Sequence, residues 1–192
     1  GGICATPGLH NAILETGSAL GCMVTASHNP VSDSGIKVFD SAGFKTYPEL
    51  ELEVSELITQ LAAEEREVDR IDLIPLKKPD YVFNADSAHQ NLLQIRISEF
   101  SEMFAVPFQM KILVDSSKGA ASEWLVGLLN DLGVEAKEVS RQATALNKNC
   151  GAGELSPTDS WTWDEAAKHE HFLIKSLERS DAGKIIGAAL DG

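Results

Sequence analysis

Residues 111–115 read Lys-Ile-Leu-Val-Asp, a short apolar run with the composition of a buried β-strand. A loop of small residues follows at 116–121, and apolar residues then recur at helical spacing over 123–132. Gly133 suits the end of that helix, and residues 134–139 return to a strand pattern. This order predicts a β-α-β unit, which implies a parallel sheet covered by helices.

The segment upstream of this unit is predicted to contain two strands and two helices. Short strands are expected at residues 18–24 and 35–39, on either side of a turn. Apolar residues at three- and four-residue spacing predict a helix over 49–67. A second helix is predicted over 86–104, with one of its first two residues, an aspartate and a serine, as the cap.

The segment downstream completes the predicted architecture. Residues 140–160 have loop composition, 163–179 have the pattern of one continuous helix, and 184–190 have that of a strand. We therefore predict the α/β class, with two consecutive α/β/α domains at 1–85 and 86–192 and mixed, largely parallel sheets. Because the chain lacks an initiator Met and stops just after a predicted core strand, both domains are expected to be incomplete at the sequence ends.

The composition indicates a folded, acidic chain. Of its 192 residues, 43% are hydrophobic, which is enough for a core. The 29 acidic and 16 basic residues give a net charge of −13, which disfavours nucleic acid and membrane surfaces as partners. A small phosphorylated ligand is not excluded, since a few cations and backbone amides can hold one. Three cysteines without metal-site spacing favour a cytoplasmic location.

The most distinctive motif is Cys-Met-Val-Thr-Ala-Ser-His-Asn-Pro at residues 22–30, where an apolar run ends in a turn. Ser27 supplies a hydroxyl and His28 a titratable ring, and Lys37 brings a cation back along the next strand. Serine beside histidine suggests a hydrolase, but the G-x-S-x-G elbow is absent. Adjacent strand residues also point to opposite faces, so His28 is poorly placed to deprotonate Ser27.

Two other short motifs allow two interpretations each. Residues 116–120, Ser-Ser-Lys-Gly-Ala, form either a phosphate-binding loop or a plain turn from strand to helix, because no established phosphate-loop pattern is met. Asp191 follows a predicted buried strand. Its carboxylate is either a ligand for a hard cation or a turn residue.

Taken together, these motifs resemble those of the α-D-phosphohexomutases, a family that includes phosphoglucomutase, phosphomannomutase and phosphoglucosamine mutase. The similarity extends along essentially the whole chain, which resembles the later part of the family's first domain and most of its second. Leu190-Asp191-Gly192 resembles the start of the family's Asp-Gly-Asp-Gly-Asp-Arg metal loop. The other matching stretches are Thr6-Pro7-Gly8, residues 24–30 with Asp33, residues 35–39, and residues 114–120.

The resemblance implies a role for each candidate residue. Ser27 would carry a phosphoryl group, give it to one sugar hydroxyl and recover one from another. Asp191 and a phosphoryl oxygen on Ser27 would bind Mg²⁺, and a glucose 1,6-bisphosphate-type activator would prime the serine. His28 would contact substrate or phosphate, or act as a structural hydrogen-bonder. Lys37 would serve in acid–base chemistry or phosphate binding, or be a solvated strand lysine.

The predicted function is that of a phosphohexomutase, an intramolecular phosphotransferase that interconverts hexose 6-phosphate and hexose 1-phosphate through a 1,6-bisphosphate. Glucose and mannose phosphates are the first expectation, and glucosamine phosphate is the alternative. A non-catalytic family member that acts as a binding or regulatory module is a further alternative. The implied partner is a small phosphosugar, and the oligomeric state stays open. Because the family's later sugar- and phosphate-binding loops have no match in the chain, these 192 residues alone are expected to be inactive.

Overall fold

The computed structural model describes residues 1–26, 29, 32–63, 81–104, 110–156 and 158–191. Within these ranges the helices and strands alternate irregularly along the chain. The helices are α1 (Thr6–Thr16), α2 (Pro48–Ala63), α3 (Ala85–Phe104), α4 (Leu125–Asp131), α5 (Trp163–Ala166) and α6 (Phe172–Lys175). The strands are β1 (Leu20–Val24), β2 (Ile36–Asp40), β3 (Lys111–Asp115), β4 (Ala136–Glu138) and β5 (Ile185–Ala189).

A parallel sheet of three strands forms the centre of the second half of the chain. Strand β3 lies between β4 and β5 and pairs with both in parallel. Leu113 and Val114 of β3 are buried. Leu173 of α6 packs over Gly187 of β5, because a Cβ added to Gly187 would lie 3.2 Å from the Leu173 Cδ1. The predicted α/β class and parallel sheet are confirmed.

In the first half of the chain, an antiparallel hairpin packs against a helix that the sequence patterns left unassigned. Strands β1 and β2 pair with Met23 opposite Lys37. Helix α1 has a proline in its first turn and ends at Gly17, whose left-handed backbone (φ 62°) directs its N–H to the carbonyl of Ile13. Ile13 packs directly over Gly21 of β1, so the helix covers one face of the hairpin.

The start of α3 differs from the prediction. The Ser87 N–H donates to the side-chain oxygen of Asn84 at 3.0 Å, so Asn84 caps the helix. The expectation that Asp86 or Ser87 is the cap is wrong, because both lie inside the first turn. The other upstream prediction, a helix over 49–67, is confirmed up to Ala63, and its last residues lie outside the described ranges.

The single helix predicted over residues 163–179 is also wrong. The segment forms two one-turn helices, α5 and α6, with residues 167–171 between them. His171 explains the break, because its ring is buried and its Nδ1 accepts the N–H of Leu173 at 3.3 Å, which caps α6. Helical spacing in the sequence does not reveal that a histidine ring is used in this way. Helix α4 is likewise shorter than predicted, beginning at Leu125.

His89 of α3 is buried where the first and second halves of the chain meet. Its side chain is 7% exposed, and its Cβ lies 3.4 Å from the position of a Cβ on Gly8 of α1. Its ring stands edge-on to Trp124, with the centroids 6.3 Å apart. Burial lowers the pKa of His89 below its ordinary 6.5, and the nearby Asp86 carboxylate opposes this only in part.

We therefore expect a pH-dependent stability that His89→Phe removes. In the unfolded chain the ring takes up a proton near pH 6.5, whereas the folded chain holds it neutral to lower pH. The free energy of unfolding is therefore highest above pH 6.5 and falls as the pH drops below it, by at most about 1.4 kcal/mol per pH unit. Urea unfolding of both proteins between pH 5 and 7.5 measures the difference in slope. If the free energy of unfolding changed with pH in the same way in the wild type and in His89→Phe, His89 would not be the source of the pH dependence.

Candidate functional site

Two of the predicted site residues, Ser27 and His28, lie outside the described residues. The backbone on both sides of them is described. Thr25 N–H donates to the Gly35 carbonyl at 2.9 Å, which extends the hairpin one step beyond β1 and β2. Asn29 N–H donates to the Ala26 carbonyl at 3.1 Å. Thr25 and Asn29, which lie two residues before and two residues after Ser27 in the sequence, are thus each held by a backbone hydrogen bond.

An open groove of about 540 Å³ lies between the end of β1 and the start of β2. Lys37 is half-buried in it, and Asp33 is exposed along it. A Cβ on Gly35 would lie 3.0 Å from the Thr25 carbonyl oxygen, so a larger residue here would push the two strand ends apart. With an ammonium, a carboxylate and a side-chain amide, the groove is suited to a small polar or phosphorylated ligand. The described residues lining it are Thr25, Ala26, Asn29 and residues 33–37.

Asp191 lies at the edge of the parallel sheet where β3 and β5 both end. Ligands in open α/β sheets bind at this carboxyl edge. The Leu190 N–H donates to the Asp115 carbonyl, and the Leu190 carbonyl accepts from the Ala152 N–H, both at 2.8 Å. The residue before Asp191 is therefore fixed on two sides, while Asp191 itself is exposed.

Asp115 has a different environment from Asp191, because its carboxylate is fully buried. Oδ1 accepts the Ser117 N–H at 2.9 Å and Oδ2 accepts the Gly151 N–H at 2.7 Å. Ser117 and Lys118 both have left-handed backbones, and the Lys118 ammonium donates to the Ala143 carbonyl at 2.8 Å. These internal bonds support the turn interpretation of residues 116–120.

A polar contact joins the serine turn to the sheet edge. The Asn147 side-chain amide donates to the Asn29 carbonyl at 3.4 Å, and the Asn147 N–H donates to the Ser117 carbonyl at 3.3 Å. Asn29 also lines the groove that contains Lys37. The structure thus brings the backbone beside Ser27, the Lys37 groove and the loops next to β5 into one connected region.

The predicted Mg²⁺ site is not made up by the described residues. Among them, no group of three or more His, Cys, Asp or Glu side chains could hold a metal ion. Asp191 is the only predicted ligand in the described ranges, because Ser27 lies outside them. One exposed carboxylate does not make a magnesium site by itself, since the ion takes octahedral coordination by several oxygens. The Mg²⁺ requirement stays a prediction.

Residues 147–151, which we call the asparagine loop, lie within the predicted loop at 140–160, but the sequence analysis did not connect them with the site. A signal for it was present in the residue types. Asn147, Asn149 and Gly151 all adopt positive φ, at 55°, 55° and 84°. Asparagine and glycine are the residues that most readily do so. The part that His171 plays in holding this loop had no corresponding signal in the sequence.

Comparison with known proteins gives a consistent result. A family model described as phosphoglucomutase/phosphomannomutase, alpha/beta/alpha domain I, matches residues 1–65. Phosphoglucosamine mutase of Limosilactobacillus reuteri is 30% identical over 191 residues, covering 100% of this chain and 37% of that protein. The Francisella tularensis subsp. novicida protein of the same name is 31% identical over 198 residues, covering 100% and 41%.

A third relative, phosphoglucosamine mutase of Caldicellulosiruptor saccharolyticus, is 32% identical over 163 residues, covering 80% of this chain and 33% of that protein. The chain thus spans between a third and about two fifths of the length of these curated relatives. In the part of the chain that the structure describes, no helix combines the length and the hydrophobicity of a transmembrane segment. The matches, the parallel sheet and the serine motif agree. The chain belongs to the α-D-phosphohexomutase family.

Proposed function

We propose that this chain carries the phosphoryl-transfer serine of a phosphohexomutase, with Ser27 as the residue that is phosphorylated. The observation that supports this most is the groove that Lys37 and Asn29 line together with Ala26, the residue before Ser27 in the sequence, in a chain of this family. A phosphorylated Ser27 would carry a charge of about −1.5 to −2. The Lys37 ammonium would offset part of it.

The reaction that we propose has two transfers. First, the bond between phosphorus and Ser27 Oγ breaks while phosphorus bonds to the oxygen of a free sugar hydroxyl. The sugar hydroxyl loses its proton, and Ser27 Oγ gains one. This gives a hexose 1,6-bisphosphate. After the sugar reorients, its other phosphoryl group passes back to Ser27 Oγ by the reverse steps. Lys37 and His28 are the candidates for carrying the proton or holding the phosphate that is not transferred.

The proposal includes Mg²⁺, with Asp191 as one of its ligands. When bound, the ion would withdraw charge from the phosphoryl oxygens during transfer. Among the described residues, Asp115 and Ala152 hydrogen-bond the backbone of Leu190. These bonds fix the position at which the chain leaves β5 and reaches Asp191. A glucose 1,6-bisphosphate-type activator would phosphorylate the serine initially.

The relatives favour a particular sugar. All three relatives named in the preceding subsection are phosphoglucosamine mutases by name. We therefore propose glucosamine phosphate as the substrate, in preference to the glucose or mannose phosphates first expected from the motifs. The setting that we propose is the cytoplasm.

An assay of the complete protein tests this proposal. We expect conversion of glucosamine 6-phosphate to the 1-phosphate, with Mg²⁺ and a catalytic amount of hexose 1,6-bisphosphate, to be faster than conversion of glucose or mannose 6-phosphate. The measurement is kcat/KM for the three sugars, followed by ³¹P NMR. A higher value for glucose or mannose would restore the first expectation, and no turnover of any of the three would contradict a mutase.

A further inference from the structure

We propose that Asp115 and His171 are positioning residues, which hold the asparagine loop so that it fixes the backbone beside Ser27. This inference rests on the proposed function for its effect on catalysis, but the contacts that carry it are all among described residues. Neither side chain is exposed: the carboxylate and the imidazole are both fully buried. The structure therefore places both of them behind the site rather than in contact with substrate.

Asp115 uses its two oxygens for two different loops. Oδ1 accepts from Ser117 N and Oδ2 from Gly151 N, so the carboxylate joins the turn after β3 to the end of the asparagine loop. The Asp115 backbone carbonyl also accepts from Leu190 N. One residue thus sets the relative positions of the asparagine loop and the end of β5.

His171 holds the same loop from the opposite side. Its Nδ1 accepts the Leu173 N–H, so this nitrogen carries no proton and the ring proton lies on Nε2. Nε2 then donates to the Gly151 carbonyl at 3.0 Å and lies 3.5 Å from Asp115 Oδ2. The next residue, Phe172, donates its N–H to the Asn149 carbonyl at 2.8 Å. The start of α6 therefore clamps two carbonyls of the asparagine loop.

The clamped loop reaches the serine turn through Asn147. Its side-chain amide donates to the carbonyl of Asn29, two residues after Ser27. In-line phosphoryl transfer tolerates little displacement, and a shift of about 1 Å can cost on the order of 100-fold in rate. Loosening the clamp would therefore slow transfer without removing any group that touches the sugar.

Two variants of His171 in the complete protein separate the clamp from the helix cap. His171→Gln places an amide nitrogen near the Nε2 position and keeps a donor for the Gly151 carbonyl. His171→Asn keeps a side-chain oxygen for the Leu173 N–H but is too short to reach Gly151. A clamp role predicts that only the asparagine variant is impaired, whereas a role limited to capping predicts the reverse.

The first measurement is amide hydrogen exchange. We expect faster exchange at Gly151 and Asn29 in His171→Asn and near wild-type exchange in His171→Gln. The second is the rate at which glucose 1,6-bisphosphate phosphorylates Ser27, which should fall at least tenfold in His171→Asn, with KM within about twofold. The glutamine variant should stay within about threefold of wild type.

Each other outcome would overturn the inference. Unchanged exchange at Gly151 and Asn29 in His171→Asn would show that the clamp does not reach the serine turn. Faster exchange with an unchanged rate, or equal losses in both variants, would show that the pair has only a structural role. If the wild-type protein takes up no phosphate, the proposed function fails, and Asp115 and His171 have no transfer reaction to support. The hydrogen-exchange data still test whether these two residues hold the asparagine loop.

Discussion

Ser27→Ala in the complete protein is expected to reduce mutase turnover by about 10⁴-fold or more. The substitution removes the oxygen that accepts and returns the phosphoryl group, and no other step can replace a covalent intermediate of this kind. The backbone bonds from Thr25 to Gly35 and from Asn29 to Ala26 involve no serine side chain and should survive. The measurement is kcat with saturating sugar phosphate and activator, together with a thermal unfolding curve.

Ser32 offers a matched control in the same turn. Its hydroxyl is exposed and donates to the neighbouring Asp33 carboxylate at 3.1 Å. Ser32→Ala should therefore leave turnover within about twofold, because it removes only a solvated hydrogen bond. Turnover by Ser27→Ala close to that of Ser32→Ala would show that Ser27 carries no phosphoryl group.

Gly151→Ala should lower the free energy of unfolding by about 2–6 kcal/mol, because it combines backbone strain with overpacking. The Gly151 backbone lies at φ 84° and ψ 162°, a region that essentially only glycine occupies, so an alanine there costs about 1–3 kcal/mol. The new methyl would also lie 2.6 Å from the Ser117 Cβ and 3.0 Å from Asn147 Oδ1, so the asparagine loop would have to shift. Overpacking of this kind adds about 1–3 kcal/mol. Denaturant unfolding measures the sum.

Gly133→Ala is a control with a positive φ and no overpacking. Its φ is 80°, and a Cβ there would meet nothing within 4 Å. We expect it to lose only the backbone part, about 1–2 kcal/mol. If the two alanine variants were equally stable, the asparagine loop would be free to rearrange, and the rigid clamp at Asp115 and His171 would be contradicted.

Local patterns were sufficient for the parallel sheet but not for the segment before its last strand. The apolar run at β3 predicted its bounds because a strand buried on both faces has no polar alternation. Helical spacing over residues 163–179 gave the wrong result. The competing influence there is tertiary, since burying His171 against Gly151 and Asp115 breaks the helix, and no local pattern encodes that partner.

Periodicity also predicted α2 without showing what it packs on. Its apolar residues fit helical spacing, yet none of the described side chains of this helix is buried. A hydrophobic stripe indicates that a face favours burial and does not identify the surface that covers it. Helix α1 was left unassigned although its sequence has a proline in the first turn, a terminal glycine, and Leu9 and Ile13 at four-residue spacing.

For the candidate site, the sequence predicted residue types better than their arrangement. The serine motif and Lys37 stand out because an apolar strand ends in hydroxyl and charged groups. Asn147, by contrast, is 118 residues from Asn29, and only the folded chain shows that they meet. The buried Asp115 could not be distinguished by sequence from Asp191, since each comes directly after an apolar run. Their difference depends on the Ser117 and Gly151 amides, which fold back onto Asp115.

The proposed mechanism depends on the phosphorylation of one hydroxyl. The most direct measurement is the mass of the purified complete protein, before and after incubation with a hexose 1,6-bisphosphate, with fragmentation to locate the modified residue. We predict a gain of a single phosphoryl group on Ser27, which is lost again when hexose 6-phosphate is added. A protein that never gains this mass, or that gains it on another residue, would contradict the assignment of Ser27 as the carrier.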